Sequence, residues 1–174
     1  MKLVKKIFFV LLLCVTIGTL STGCSTKNLG NNDLNTKKSS GAKTYKLNED
    51  IYVTTGEEKY RIKFTNVTET DYRATHSSQK ADRVVIVEYE YENISKENNL
   101  YISDTYFKLY DKKNNNLMTY PVVTDVKYPK DAAKGETVVA NVAYALNNSD
   151  NYIKVDFYDN IILDTVTFSA ILEW

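Results

Sequence analysis

Apolar and polar residues alternate with a period of two in five segments of the chain. The segments are 60–64, 85–91, 138–146, 153–157 and 166–172. Because successive side chains of a β-strand point to opposite faces of a sheet, each segment predicts a strand with one apolar and one more polar face. Shorter apolar stretches predict four further strands, at 51–54, 100–102, 106–110 and 117–120.

Polar clusters that include Gly, Asn, Asp and Lys separate these segments and predict turns. They lie at 55–58, 111–116, 134–136, 147–150 and 159–160. Between residues 44 and 174 the only helical element that we expect is a single turn around 128–133. Many short strands without intervening helices predict an all-β domain, built as an antiparallel sandwich or barrel.

The inward phase of the alternation predicts a core. Its members are Val85, Val87, Tyr89, Val138, Val142, Ile153, Val155 and Phe168. We expect an aspartate at position 142 to destabilise the fold strongly, because an unpaired buried charge is costly.

The first 24 residues have the organisation of an export signal. Three lysines among the first six residues precede an apolar run at 7–17, and Gly23-Cys24 follows. This order is typical of a secretory signal, and the run is shorter than the roughly 20 apolar residues that span a bilayer. Because the motif Gly23-Cys24-Ser25 follows the apolar run, residues 1–23 resemble a bacterial lipoprotein signal peptide. The resemblance implies that Cys24 is diacylated and becomes the new N-terminus; secretion without a lipid is the alternative.

Residues 24–43 are polar and predict a flexible linker, with a root-mean-square span of roughly 25 Å. Cys14 leaves with the signal, so residues 44–174 contain no thiol for a disulfide, a metal site or a nucleophile. The whole chain has 22 basic and 22 acidic residues, and removal of the three signal lysines leaves a net negative chain. This balance argues against a nucleic-acid partner.

The stretch 84–111 reads VVIVEYEYENISKENNLYISDTYFKLYD. A long apolar strand ends in Glu-Asn-x-Ser, Phe-x-Leu-x-Asp follows, and Lys134-Gly135-Glu136 precedes the next long strand. This pattern resembles the telokin-like, immunoglobulin-like domain of Gram-positive bacterial lipoproteins. The resemblance implies an immunoglobulin-like β-sandwich of about seven to nine strands over residues 44–174. It carries over no catalytic residues.

Three features raise the question of catalysis or metal binding. His76 precedes Ser77 and could act as a base for a nucleophile, although a polar surface loop explains it more simply. Glu88 and Glu90 lie roughly 7 Å apart on one strand face, a pair that suits glycoside hydrolysis or calcium but equally a solvated face with Lys or Arg partners. The segment 111–116 lacks the Gly and closing Glu of a calcium loop. We therefore expect no enzyme, no metal and no cofactor.

The chain contains 14 tyrosines, all after residue 44. Four fall on the outward phase beside charged residues and form the candidate binding surface: Tyr106, Tyr110, Tyr152 and Tyr158. An exposed tyrosine offers contact area with a polar hydroxyl, which suits sugar or protein binding. High strand propensity of tyrosine is the alternative explanation.

These observations predict a lipid-anchored lipoprotein on the extracytoplasmic face of the cell membrane. Its domain would act as a binding or interaction module for an envelope protein or a cell-wall glycan. One alternative is a structural envelope lipoprotein, and a less favoured one is a cell-wall hydrolase that uses Glu88 and Glu90, or His76. A concave pocket with two titratable groups would favour the hydrolase, and a flat, aromatic, outward sheet face would favour binding.

Overall fold

The protein is described by a computed structural model over residues 42–174, apart from the side chain of Ile161. Eight strands follow one another along this part of the chain. They are β1 (Thr44–Lys46), β2 (Ile51–Thr55), β3 (Glu58–Thr70), β4 (Arg83–Asn93), β5 (Phe107–Tyr110), β6 (Thr137–Leu146), β7 (Tyr152–Phe157) and β8 (Phe168–Glu173). Two short 3₁₀ turns, Asp104–Tyr106 and Ile161–Leu163, complete the regular structure of the described residues. The prediction of an all-β domain is confirmed.

The strands form two four-stranded sheets that enclose one main core. Sheet A has the order β1-β8-β7-β5, and sheet B has the order β2-β3-β4-β6. Neighbouring strands are antiparallel, as predicted, except that β1 pairs with β8 in parallel. The protein is therefore a β-sandwich, and the parallel edge strand is a feature that the alternation did not predict.

Seven of the eight predicted core residues are buried, each with a solvent-exposed fraction of 3 % or less. The prediction for Val142 is wrong, because this residue is only half-buried and packs against the margin of the core. β6 is the last strand of sheet B, and a pocket of about 230 Å³ between it and the segment 120–129 adjoins Val142. An aspartate at this position should consequently destabilise less than a fully buried one.

Aromatic side chains join the two sheets in the centre of the core. The ring centroid of Tyr89 on β4 lies 5.0 Å from that of Phe107 on β5. The Tyr89 hydroxyl donates a hydrogen bond of 3.0 Å to the carbonyl of Ile102. The buried ring therefore contributes apolar area without leaving an unsatisfied polar group.

A second, smaller core lies on the outer face of sheet B. Tyr120 packs there with Val84, Ala143 and Ala145, all buried. The alternation predicted that the two alanines face solvent, and this is wrong because a folded-back segment covers them. Residues 117–120, predicted as a strand, form only one isolated bridge, between Thr119 and Tyr144.

The helical turn predicted around 128–133 is wrong. The segment is not helical, because its polar backbone groups bond to other parts of the chain. The amide of Lys130 donates to the Tyr91 hydroxyl at 3.0 Å, and Ala132 exchanges two backbone hydrogen bonds with Leu100. Pro129 inside the segment has no amide hydrogen for a helix.

Candidate functional site

The outer face of sheet A carries three of the four predicted tyrosines. On β5, Phe107 and Leu109 point into the core and are buried, so Lys108 and Tyr110 point outward. The register places Lys108 opposite Asp156 and Tyr110 opposite Lys154 on β7. By the same alternation, Tyr152 and Tyr158 share this face, because Ile153, Val155 and Phe157 are buried. We call the group Lys108, Tyr110, Tyr152, Lys154 and Tyr158 the tyrosine–lysine face.

Lysine side chains lie over two of these rings. The ammonium of Lys108 is 4.6 Å from the centroid of Tyr158, and that of Lys154 is 5.2 Å from the centroid of Tyr110. Burial, reinforced by the neighbouring Tyr110, raises the pKa of Tyr158 to about 12. Tyr158 is only 7 % exposed, so the prediction that its ring is exposed is wrong: it lies on the outward side of the sheet but neighbouring side chains, including Lys108, cover it.

A buried carboxylate lies beneath the face. Asp156 is only 5 % exposed, and its two oxygens accept from the Ser169 hydroxyl at 2.6 Å and from the Lys154 ammonium at 2.9 Å. Lys108 bonds instead to Asp164 at 2.6 Å. Sequence reasoning missed the role of Asp156, although an aspartate on the outward phase between two tyrosines was a visible signal.

Tyr106, the fourth predicted residue, does not lie on this face. It belongs to the 3₁₀ turn before β5, where the alternation of the strand does not yet apply. Its ring stacks on the buried Phe157 with centroids 6.1 Å apart. Tyr106 therefore packs against the core, and the binding surface predicted from the sequence loses this member.

Tyr106 lines a pocket of about 240 Å³ at one end of the sandwich, together with Tyr60, Lys96, Tyr101 and Asp159. The Tyr60 hydroxyl donates to Asp159, and burial, followed by this contact, raises the pKa of Tyr60 above its ordinary range. Lys96 bonds to Glu58 at 2.7 Å. The pocket holds titratable groups, but these contacts already pair Tyr60, Asp159 and Lys96 within the protein.

Glu88 and Glu90 lie on the outer face of sheet B and have different cationic partners. Glu88 bonds to Lys127, which lowers the pKa of its carboxyl despite the opposing effect of burial. Glu90 bonds to Arg61 at 2.6 Å. Arg61 also bonds to Glu92 at 2.9 Å, so these carboxylates belong to a surface ion-pair network.

The other candidates from the sequence have structural surroundings. His76 is exposed in the loop between β3 and β4. Asp111 accepts from the amides of Lys113 and Asn115 and from the side chain of Asn148, at 2.8–3.1 Å. Burial opposes ionisation of Asp111, but these hydrogen bonds outweigh it and lower its pKa. Within residues 42–174, no group of three or more His, Cys, Asp or Glu side chains is placed to hold a metal ion.

Cys24, the signal and all but the last two linker residues lie outside the described part of the chain. In that described part, no helix is both long and apolar enough to cross a membrane.

The architecture places the chain among eight-stranded β-sandwiches with two four-stranded sheets. The chain belongs to the family described as a domain of unknown function (DUF5067), whose sequence profile matches residues 32–159. A comparison of the sequence with curated proteins found no match.

Three solved structures have a similar fold. MPT63, a secreted protein from Mycobacterium tuberculosis, has a TM-score of 0.60 and 12% identity, over 78% of this chain and 100% of that chain. The yjhA protein from Bacillus subtilis has a TM-score of 0.51 and 14% identity, over 74% and 98% of the two chains. The ycdA protein from Bacillus subtilis, described as a candidate lipoprotein, has a TM-score of 0.52 and 13% identity, over 66% of this chain but 36% of its own. At these identities the likeness establishes the fold alone.

Proposed function

We propose that the protein is a lipid-anchored, extracytoplasmic lipoprotein of a Gram-positive bacterium, and that its telokin-like, immunoglobulin-like sandwich is a binding module. The observation that carries the binding proposal is the tyrosine–lysine face of sheet A. The export signal ending at Cys24 supports the location. The secreted and lipoprotein descriptions of two structural neighbours agree with it.

The tyrosine–lysine face has the chemistry of a recognition surface. Tyrosine offers a rigid apolar ring and a hydroxyl, and aromatic residues are enriched in interfaces. Lys108 and Lys154 add two ammonium groups above those rings. Each ammonium is also paired with a carboxylate, Lys108 with Asp164 and Lys154 with Asp156, so the rings rather than a net positive charge support the proposal. A partner with a flat apolar surface fits this face, which an envelope protein or a cell-wall glycan can offer.

The anchor is tested by replacing Cys24 with Ala and fractionating the cells. We expect the wild-type protein in the membrane fraction and the variant in the soluble extracytoplasmic fraction. Unchanged membrane association of the variant would contradict the lipid anchor.

The recognition face is tested by changing Tyr110 and Tyr152 to Ser together. Both residues are half-buried on the outer face, so we expect a folded protein that retains less of the envelope proteins or cell-wall glycan captured by the wild type. The matched control is Tyr52→Ser, which removes a 52 % exposed tyrosine from β2. Tyr52 also has a lysine over its ring, because the Lys59 ammonium lies 4.4 Å from the centroid.

Three outcomes separate the candidate functions. Loss of capture in the double variant but not in Tyr52→Ser supports the binding module. Equal capture by all three proteins moves the interaction elsewhere and favours the structural envelope lipoprotein. Hydrolysis of cell-wall material that stops on substitution of Glu88 or His76 would favour the hydrolase, for which the separate partners of Glu88 and Glu90 give no support.

A further inference from the structure

The connection between β7 and β8 carries two aliphatic side chains in water. Ile162 is 93 % exposed and Leu163 is 69 % exposed. Single exposed apolar residues are common on protein surfaces, but contiguous exposed apolar residues often mark a contact with a partner or a membrane. We call Ile162 and Leu163 the aliphatic tip.

The aliphatic tip is held in shape by the polar residues around it. The Asn160 side chain accepts from the amides of Ile162 at 3.0 Å and Leu163 at 3.2 Å. Thr165 donates to the carbonyl of Leu163 at 3.1 Å. The polar groups are thus used inside the turn while the apolar side chains remain outside, so the exposure is built into the local structure.

The chain outside the described residues joins the sandwich at the same end. β8 starts at Phe168, directly after the tip connection, and β1 runs parallel to it with Thr44 paired to Ser169. The carbonyl of Lys43 accepts from the amide of Ser169 at 3.1 Å. The linker from Cys24 therefore enters the domain at the end that carries the aliphatic tip.

We propose that the aliphatic tip inserts into the surface of the lipid bilayer to which the chain is anchored. This inference rests on the proposed lipid anchor at Cys24. A linker of about 20 residues spans roughly 25 Å, which keeps the tip at an effective concentration of roughly millimolar near the lipid. Two aliphatic residues bind a bilayer weakly by themselves, but a tethered domain needs only a weak contact to be oriented.

The contact is apolar rather than electrostatic. Lys108, the cation bonded beside the tip, is paired with Asp164 at 2.6 Å. Insertion should therefore be nearly the same in neutral and in anionic vesicles, whereas a basic patch would require anionic lipid.

The experiment uses the chain from residue 24 onward, with Cys24→Ser and an N-terminal histidine tag that tethers it to phosphatidylcholine vesicles containing nickel-chelating lipid. Since no other cysteine follows residue 24, Leu163→Cys accepts a single environment-sensitive fluorophore. We expect tethering to shift its emission to shorter wavelength and to allow quenching by nitroxide-labelled lipid. Adding Ile162→Asn should lower the ratio of inserted to free tip roughly tenfold, the effect of one aliphatic side chain left in water.

The matched control places the fluorophore at Lys113→Cys, in the turn after β5. Tyr110 at the end of β5 pairs with Lys154 near the start of β7, so this turn lies at the opposite end of the sandwich from the tip. We expect its emission to stay unchanged on tethering. Melting curves of both labelled proteins confirm that they are folded.

Three results would overturn the inference. The first is a Leu163 fluorophore that stays in water on tethered vesicles, as the Lys113 fluorophore does. The second is insertion only when phosphatidylglycerol is added. The third is an emission shift that grows with protein concentration without vesicles, which would assign the tip to a second copy of the chain. Because the histidine tag replaces the native anchor, these results are independent of whether Cys24 is lipidated, which mass spectrometry of the membrane-extracted protein measures separately.

Discussion

The outer faces of the two sheets differ in how their charges are satisfied. On sheet B, acidic and basic side chains form a network of shared ion pairs. Arg61 bonds to Asp50 at 2.8 Å and to Glu90 at 2.6 Å, and Lys63 bonds to the same Asp50 at 3.1 Å. On sheet A the ion pairs are separate rather than shared: Lys154 bonds to the buried Asp156 at 2.9 Å, and Lys108 bonds to Asp164 at 2.6 Å. Both ammonium groups also lie over tyrosine rings.

The difference bears on which face we propose as the recognition surface. A partner that covers the face of sheet B must remove water from a network of ion pairs that already satisfy one another, which costs free energy without new contacts. A partner that covers the face of sheet A meets two separate ion pairs, but it also gains contact with tyrosine rings and lysine stems, whose burial is favourable. This contrast is the reason that we propose the outer face of sheet A, rather than that of sheet B, as the recognition surface.

The largest expected effect comes from placing a charge on the inner face of each sheet. The comparison of the outer faces assumes that the two inner faces are equally buried. Val155 in sheet A and Val85 in sheet B are both 0 % exposed. We expect Val155→Asp and Val85→Asp each to destabilise the fold by more than about 4 kcal/mol, because each buries an unpaired charge. Thermal unfolding followed by circular dichroism measures this loss.

Val142→Asp shows how the loss of stability depends on burial, since Val142 is only half-buried on the edge strand β6. We expect a smaller loss, with a protein that still unfolds cooperatively. Wild-type melting of the Val155 or Val85 variant would show that the inner face of that sheet is misassigned.

The sequence predicted the inner faces well because alternation is a local property of each strand. It failed where distant segments decide the burial of a residue. Ala143 and Ala145 follow the outward phase, yet Tyr120 from another segment covers them. Tyr106 follows the outward phase too, but it precedes the strand and stacks on Phe157.

The candidate site was predictable only in its composition. Alternation identified Tyr110, Tyr152 and Tyr158 as outward, but their meeting with lysines across β5 and β7 depends on strand register. The sequence alone does not specify which strands pair: β5 and β7 are neighbours in sheet A although β6, which lies between them along the chain, belongs to sheet B. β1 was missed for a related reason: three residues at the edge of a polar linker contain too little pattern to identify.

An intermediate loss of stability is expected when the buried carboxylate on the outer face of sheet A is removed. The Asp156 side chain is 8 % exposed, and Asp156→Ala leaves the Ser169 hydroxyl and the Lys154 ammonium without this acceptor. We expect a loss of about 1–3 kcal/mol in the free energy of unfolding, measured by urea denaturation. The loss should exceed that of the sheet B counterpart, Glu90→Ala.

Glu90→Ala is the matched change because the Glu90 side chain is 22 % exposed and its partner Arg61 keeps two other carboxylates. We expect a loss below about 1 kcal/mol. Equal losses for the two variants would contradict the distinction between the faces, because the buried carboxylate of Asp156 would then stabilise the fold no more than the carboxylate of Glu90 in the ion-pair network.

The smallest expected effect tests whether the charged side chains on the outer face of sheet B stabilise the fold through their ion pairs. The hydrogen bond from Lys127 is the main cause that lowers the pKa of Glu88. A carboxyl whose pKa is lowered by folding adds stability above its ordinary pKa, and this stability is lost as the pH falls through the lowered value. We therefore expect Lys127→Met to destabilise at pH 7, by less than about 1 kcal/mol because Lys127 is half-exposed.

At about pH 3 or below, the same argument predicts that the difference between wild type and Lys127→Met shrinks, since Glu88 is increasingly protonated in both proteins. Urea denaturation at the two pH values measures the difference, and Lys127→Arg is the control that keeps the charge. We expect the Arg variant to follow the wild type at both pH values. A difference between wild type and Lys127→Met that stays constant with pH would mean that Lys127 stabilises the outer face of sheet B by packing rather than by its charge.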